Sequence, residues 1–177
     1  GRSIIAAVAY RTGTKLLDKE TGIVYDYTHK GGVVYAETML PPEAPVSYQD
    51  RAALWGSVQK VEKQSTAQLA REIEVALPVE MDRAQQLAVL RTYIQDNFVQ
   101  QGMCADWALH DKGDGNPHAH ILLTTRAIKP DGEWDSKQKS VYKLDAAGQK
   151  IPMIDPATGE QKIGARGRRL AAPTPAE

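Results

Sequence analysis

Residues 110–124 read HDKGDGNPHAHILLT and hold three of the chain's four histidines. Gly113, Asp114, Gly115, Asn116 and Pro117 make a turn signal inside this stretch. Before the turn, Ala105, Trp107 and Leu109 alternate with Asp106 and His110; after it, Ala119, Ile121 and Leu123 alternate with His118 and His120. Period two belongs to a half-buried strand, so residues 104–110 and 118–125 are expected to form an antiparallel pair. All three imidazoles then emerge on one face of it. Three neutral imidazoles converging from a sheet make a tripod for one divalent cation, with positions left open for a substrate. The plainer reading has His118 and His120 facing solvent on a half-buried strand. The H-x7-H-x-H clustering and its apolar flanks favour the tripod.

Working outward, residues 69–77 alternate in the same way and close at Pro78. That strand places Glu72 and Glu74 on one face, opposite Ile73 and Val75. Either carboxylate could orient a ligand imidazole through its second nitrogen, or accept a proton. Asp82 with Gln85 makes a capping box for a helix whose Leu87, Leu90, Ile94 and Phe98 share a stripe, and Gly102 ends it. Ser47 and Asp50 offer a cap to an earlier helix carrying Leu54, Trp55, Val58 and Val61. At the start, Ser3 caps a short helix from Ile4 to Arg11, with Tyr10 at its C-terminal end. Residues 16–37 read as an irregular hairpin, and two turn signals, 145–148 and 155–159, mark a basic hairpin extension. The order of elements predicts an α+β fold, an antiparallel sheet backed by helices on one face. Residues 1–128 are expected to form the core, and 129–177 a basic extension with a flexible tail in the same domain.

The bulk numbers narrow the class. A chain of 177 residues with 42% hydrophobic and 25% charged residues has enough material for a compact core. No apolar run approaches the ~20 residues of a membrane span, and no charged leader precedes an apolar segment. The single Cys104 forms no internal disulfide and supplies no thiolate cluster. A reducing, cytoplasmic setting is expected. Net charge is zero, yet residues 126–169 carry ten Lys/Arg against six Asp/Glu, and residues 61–125 five against nine. A basic third beside an acidic centre suits a phosphate-tracking arm next to a metal site. HExxH and the Gly-rich phosphate loop of Walker type are absent.

The segment HD-x4-NPHAHIL is similar to the HUH signature of relaxases, in which two histidines flank a small or hydrophobic residue and a third lies upstream. GRSIIAAVAYR resembles the amino-terminal helix of the MobA/MobL (MobQ-type, TraA-like) conjugative relaxases, and QLAREIEVALPVE their glutamate-bearing strand. The three matches come in the family's order and reach from Gly1 to about Arg126; beyond Lys129 the likeness is loose. The resemblance implies an HUH-type nickase that cuts one strand of plasmid DNA at the origin of transfer and starts conjugative transfer. A tyrosine of the first helix attacks the scissile phosphate and stays joined to the 5′ end; that position is Tyr10. His110, His118 and His120 would hold Mg²⁺ or Mn²⁺, and the motif glutamate falls on Glu72, with Glu74 second. Single-stranded plasmid DNA is the implied substrate, with accessory transfer proteins and a coupling protein as partners. The family has a strand ahead of its first helix, and this segment begins after it, so the sheet is expected to lack that strand.

The chemistry agrees with such a site. A phosphodiester repels nucleophiles and has a poor leaving group, and a cation on a non-bridging oxygen relieves both. Tyrosine, with a pKa of ~10, needs help to ionise. Arg2, Arg11 and Lys15 are candidates for phosphate contacts, and Tyr25, Tyr27 and Tyr35 for stacking on bases. Asp111 is either a partner of the histidines or a turn residue. Two other readings compete: a replication-initiator HUH nuclease, for which Tyr142 is the downstream tyrosine, and a non-catalytic DNA-binding module with a structural metal.

Overall fold

The structure, a computed structural model, describes residues 3–64, 66–137, 142–164 and 167–173; Arg2 and Arg166 lie outside them. The chain divides into two compact units, residues 1–137 and 138–177. The first contains α1 (Ile4–Thr12), β1 (Lys15–Leu17), β2 (Val24–Asp26), β3 (Val33–Met39), α2 (Arg51–Val61), β4 (Ala70–Ala76), α3 (Arg83–Asn97), β5 (Met103–His110) and β6 (His118–Ala127). Four strands form an antiparallel sheet in the order β3-β5-β6-β4. The fold is α+β, as the alternation of strand and helix patterns predicts. Among the described residues no helix is long and apolar enough to cross a membrane.

Period two along β5 and β6 sorts their side chains between two cores. Ala105, Trp107, Leu109, Ala119, Ile121 and Leu123 face α3 and pack with Leu90, Ile94 and Val99. Full burial of each large apolar side chain contributes about 1.5–3 kcal/mol before the entropy of ordering it. The other face carries Cys104 and Leu122, which pack with Ile4, Ile5 and Val8 of α1 and Leu54, Trp55 and Val58 of α2. Helices therefore cover both faces, not one. A strand pattern that looks half-polar in sequence is buried on both sides here, because Asp106 on that second face has its own partners. Its Oδ1 accepts from Arg51 Nε at 2.8 Å and its Oδ2 from Trp55 Nε1 at 3.1 Å. Burial pushes the Asp106 carboxyl up, and the guanidinium and indole N–H pull against it.

Two further expectations change. Residues 16–37 are not one hairpin: β1 pairs β2, while β3 leaves them and joins the main sheet as an edge strand on β5. α2 is capped by Asp50, whose side chain accepts from the Ala53 N–H at 2.8 Å, and Ser47 lies in a short 3₁₀ turn ahead of it. The Asp82–Gln85 capping box forms as read, with both reciprocal bonds present. α1 closes at Gly13, whose φ of 64° is the left-handed conformation in which glycine carries no Cβ penalty.

After β6 the chain stays on the first unit: Trp134 stacks on Tyr48 at 5.5 Å, and its Nε1 donates to Ser57 Oγ at 2.8 Å. In the second unit the two expected turns form, with Gly148 N–H donating to Asp145 O and Gly159 N–H to Asp155 O. Short antiparallel bridges, Leu144 to Lys150 and Ile154 to Gln161, flank them.

Asp106→Ala leaves Arg51 without its buried partner. We expect a loss of about 3 kcal/mol, read as a lower urea midpoint at unchanged m-value; a loss under half of that would show the pair to be dispensable.

Candidate functional site

Strand register brings the three histidines together. His110 lies directly across from His118, and His120 is opposite Ala108, two residues along on the same face. Their ring centroids are 4.7 Å (His110–His120), 5.2 Å (His118–His120) and 5.4 Å (His110–His118) apart. One nitrogen from each ring falls within 4.8 Å of the others. Nitrogens bound at ~2.1 Å to a single ion are at most ~4.2 Å apart, so a small inward rotation of the rings closes them on one cation.

Hydrogen bonds set the tautomers. His110 Nε2 is 2.6 Å from the Arg11 carbonyl, His118 Nδ1 is 2.8 Å from the Asn116 carbonyl, and His120 Nδ1 is 3.0 Å from Glu72 Oε1. Carbonyl and carboxylate oxygens only accept, so each of these nitrogens carries the proton. In the neutral form of each ring, the lone pair then falls on Nδ1 of His110 and on Nε2 of His118 and His120. Burial of the His110 ring, with Lys30 and the other two imidazoles nearby, pushes its pKa down and keeps it neutral. In these tautomers each ring offers one lone pair, the donor set a divalent cation takes.

Register alone would choose Glu74, which sits directly across from His120, while Glu72 is opposite Leu122. The side chains choose otherwise. Glu72 takes the bond from His120, and Glu74 Oε2 stays 3.9 Å away. Arg11 fixes Glu72 in place, its Nε donating to Oε1 and its Nη2 to Oε2 at 2.6 Å. The Arg11 guanidinium holds the Glu72 carboxyl below the usual carboxylate range, and His120 adds to the effect. Both Glu72 oxygens are engaged, holding the carboxylate against the His120 Nδ1.

The C-terminal end of α1 lies over this constellation. The last carbonyls of a helix have no intrahelical partner and carry partial negative charge. The Arg11 carbonyl finds His110, and the Tyr10 carbonyl accepts from Lys30 Nζ at 2.9 Å. The Tyr10 side chain itself is half exposed, with the Lys30 ammonium 3.7 Å from its ring centroid and Tyr27 edge-on at 5.3 Å. So Tyr10 is one residue from a histidine contact, on an open surface.

Other candidates are placed elsewhere. Arg11 is occupied by Glu72, and Lys15 pairs with Asp26 at 3.5 Å. Tyr35 lies on the opposite face of the sheet against Trp107, its hydroxyl bonded to Arg91, and Tyr25 packs on the α1–α2 core. Of the three tyrosines suggested for base stacking, Tyr27 alone is beside Tyr10. Asp111 serves the turn, accepting from Gly113 N–H and from Arg83 Nη2, both at 2.8 Å. Tyr142 belongs to the second unit, under the Lys150 ammonium. Sequence reading missed Lys30 and Lys112, which line an open groove with Tyr10, Gly31, Gly32 and Asp111. Nothing local marks them, because β3 and the turn after β5 bring them together only in the folded sheet.

The chain is similar to several known mobilization and conjugal transfer proteins. The probable mobilization protein MobA of Bifidobacterium longum is 42% identical over 96% of this chain and 30% of its own length. The conjugal transfer protein TraA of Rhizobium radiobacter is 35% identical over 82% of this chain and 14% of its own length. The mobilization protein MobL of Acidithiobacillus ferridurans is 36% identical over 85% and 46%. The chain therefore spans less than half the length of each of these relatives. A solved structure described as the molecular basis of vancomycin resistance transfer in Staphylococcus aureus superposes with a TM-score of 0.73 at 32% identity, covering 78% of this chain and 71% of that one. The sequence model of the MobA/MobL family matches residues 2–169, and the chain belongs to that family.

Proposed function

We propose that this chain carries the nicking and joining centre of a conjugative relaxase, acting on single-stranded plasmid DNA at the origin of transfer. The observation that carries the reading is the set of three lone-pair-bearing imidazoles within 4.8 Å of one another, joined through the Arg11 carbonyl to the helix that bears Tyr10. Accessory transfer proteins and a coupling protein are the partners this role calls for.

In this reading His110, His118 and His120 hold a divalent cation, Mg²⁺ or Mn²⁺, which supplies neutralisation of charge on the scissile phosphate. Tyr10 is the nucleophile. Its phenolic oxygen forms a bond to phosphorus as the bond from phosphorus to the 3′ oxygen breaks; the phenolic proton is lost, and the released 3′ oxygen takes one up. The strand's 5′ end is then an ester of Tyr10, and attack by a 3′ hydroxyl reverses the step and rejoins the strand. Glu72 positions His120 through Nδ1, and Arg11 positions Glu72. The half-exposed setting of Tyr10 leaves room for a polymer to reach it.

Incubation with a labelled oligonucleotide spanning the plasmid's own transfer origin, in Mn²⁺, should give a covalent adduct on a denaturing gel. Tyr10→Phe and EDTA should each reduce it to background. An adduct that survives in Tyr10→Phe and disappears in Tyr142→Phe would instead favour the initiator-type reading; binding without any adduct would favour a non-catalytic module. Glu72→Ala should weaken Mn²⁺ binding about 10–100-fold, measured from the electron paramagnetic resonance signal of free Mn²⁺. Unchanged affinity would remove the orienting role from Glu72.

A further inference from the structure

Lys30 and Lys112 stand beside Tyr10, and the activity described so far uses neither of them. Among the described residues neither has a carboxylate within 4.0 Å, whereas the groove's own acid, Asp111, is taken by Arg83. Lys30 is held by three things at once: the Tyr10 carbonyl, the face of the Tyr10 ring, and a partly buried position. Lys112 is held by close approach. Its stem crosses Gly32 so tightly that a Cβ at position 32 would lie 2.9 Å from Lys112 Cγ, and Gly32 has a φ of 88° that other residues rarely adopt. Arg11 and Lys112 are also near enough to depress the Lys30 ammonium, after burial as the first cause.

Gathering unpaired cations against one another is unfavourable in the free protein, and a polyanion relieves it. Gly31 has nothing within 4 Å of where a Cβ would lie, which leaves that side of the groove open to a backbone, while Gly32 gives passage to the Lys112 stem. We propose that Lys30, Lys112 and the Gly31–Gly32 turn form a seat for the sugar–phosphate backbone of a single strand, holding the phosphodiesters next to the one that Tyr10 attacks. This rests on the relaxase reading for the identity of the strand, but the seat itself is tested by binding alone.

The test measures fluorescence anisotropy of a fluorescein-labelled oligothymidylate in EDTA, where no strand is cut, over a series of NaCl concentrations. Each phosphate neutralised on a single strand adds about 0.7 to the slope of log K against log salt. The Lys30→Gln/Lys112→Gln variant should therefore lose about 1.4 from that slope, with Lys30→Arg/Lys112→Arg restoring it. Lys19→Gln/Lys63→Gln, which removes two exposed lysines elsewhere, should leave it unchanged. An unchanged slope in the first variant, or an equal loss in the control, overturns the seat. So does displacement of the oligonucleotide by inorganic phosphate with no change of slope, which would mark a site for free phosphate. If Lys30→Gln does not fold, Lys112→Gln alone decides, with an expected loss of about 0.7. A chain that shows the slope change but never forms the Tyr10 adduct keeps the seat and loses the relaxase reading.

Discussion

The pairing of β5 with β6, in register from His110 opposite His118, is the constraint on which the rest depends. A slip of one residue would exchange the faces of a strand. If β6 slipped, Ile121 and Leu123 would leave the α3 core, and His118 and His120 would enter it. The apolar face is thus what places the histidines, although no apolar side chain touches the chemistry. His118 and His120 stay partly exposed, with His110 buried under the end of α1, because α2 and the start of α1 cover the far end of their face, over Asp106 and Leu122, while the near end lies beside the turn of residues 111–117. One sheet face is therefore divided lengthwise into a buried structural half and a site.

The second device is the end of a helix. α1 runs out over the sheet, and its terminal carbonyls, which need partners from outside the helix, are satisfied by Lys30 and His110. Ordinary capping and assembly of the site are here the same event. A helix that ended one turn earlier would leave His110 without its acceptor and Tyr10 without its neighbouring ammonium. Gly13 fixes where the helix ends, and so acts on the site from outside it.

Local period and capping chemistry made much of this legible before folding. The strand pair with its three histidines, the Asp82–Gln85 box and the Ser3-capped helix that carries Tyr10 all follow from spacings within a dozen residues or so. What stayed hidden depends on contacts between distant segments. β3 has no clean alternation, and its place on the sheet edge is decided by β5. Asp106 reads as a solvent-facing residue until Arg51 and Trp55 arrive from α2. The preference for Glu72 over Glu74 came from a motif, whereas simple register favours Glu74; only the Arg11 guanidinium explains the outcome physically. Lys30 and Lys112, one before β3 and one after β5, had no spacing that could have linked them.

Arg11 touches the histidine cluster twice, by its guanidinium through Glu72 to His120 and by its carbonyl to His110. These two links differ in how substitution can reach them. Replacing the side chain severs the first and leaves the second, since every amino acid presents the same carbonyl. A mutational scan at position 11 would therefore weigh only half of what this residue does. The other half is written in the backbone path of α1, and it is exposed to change only through residues such as Gly13 that decide where that path ends.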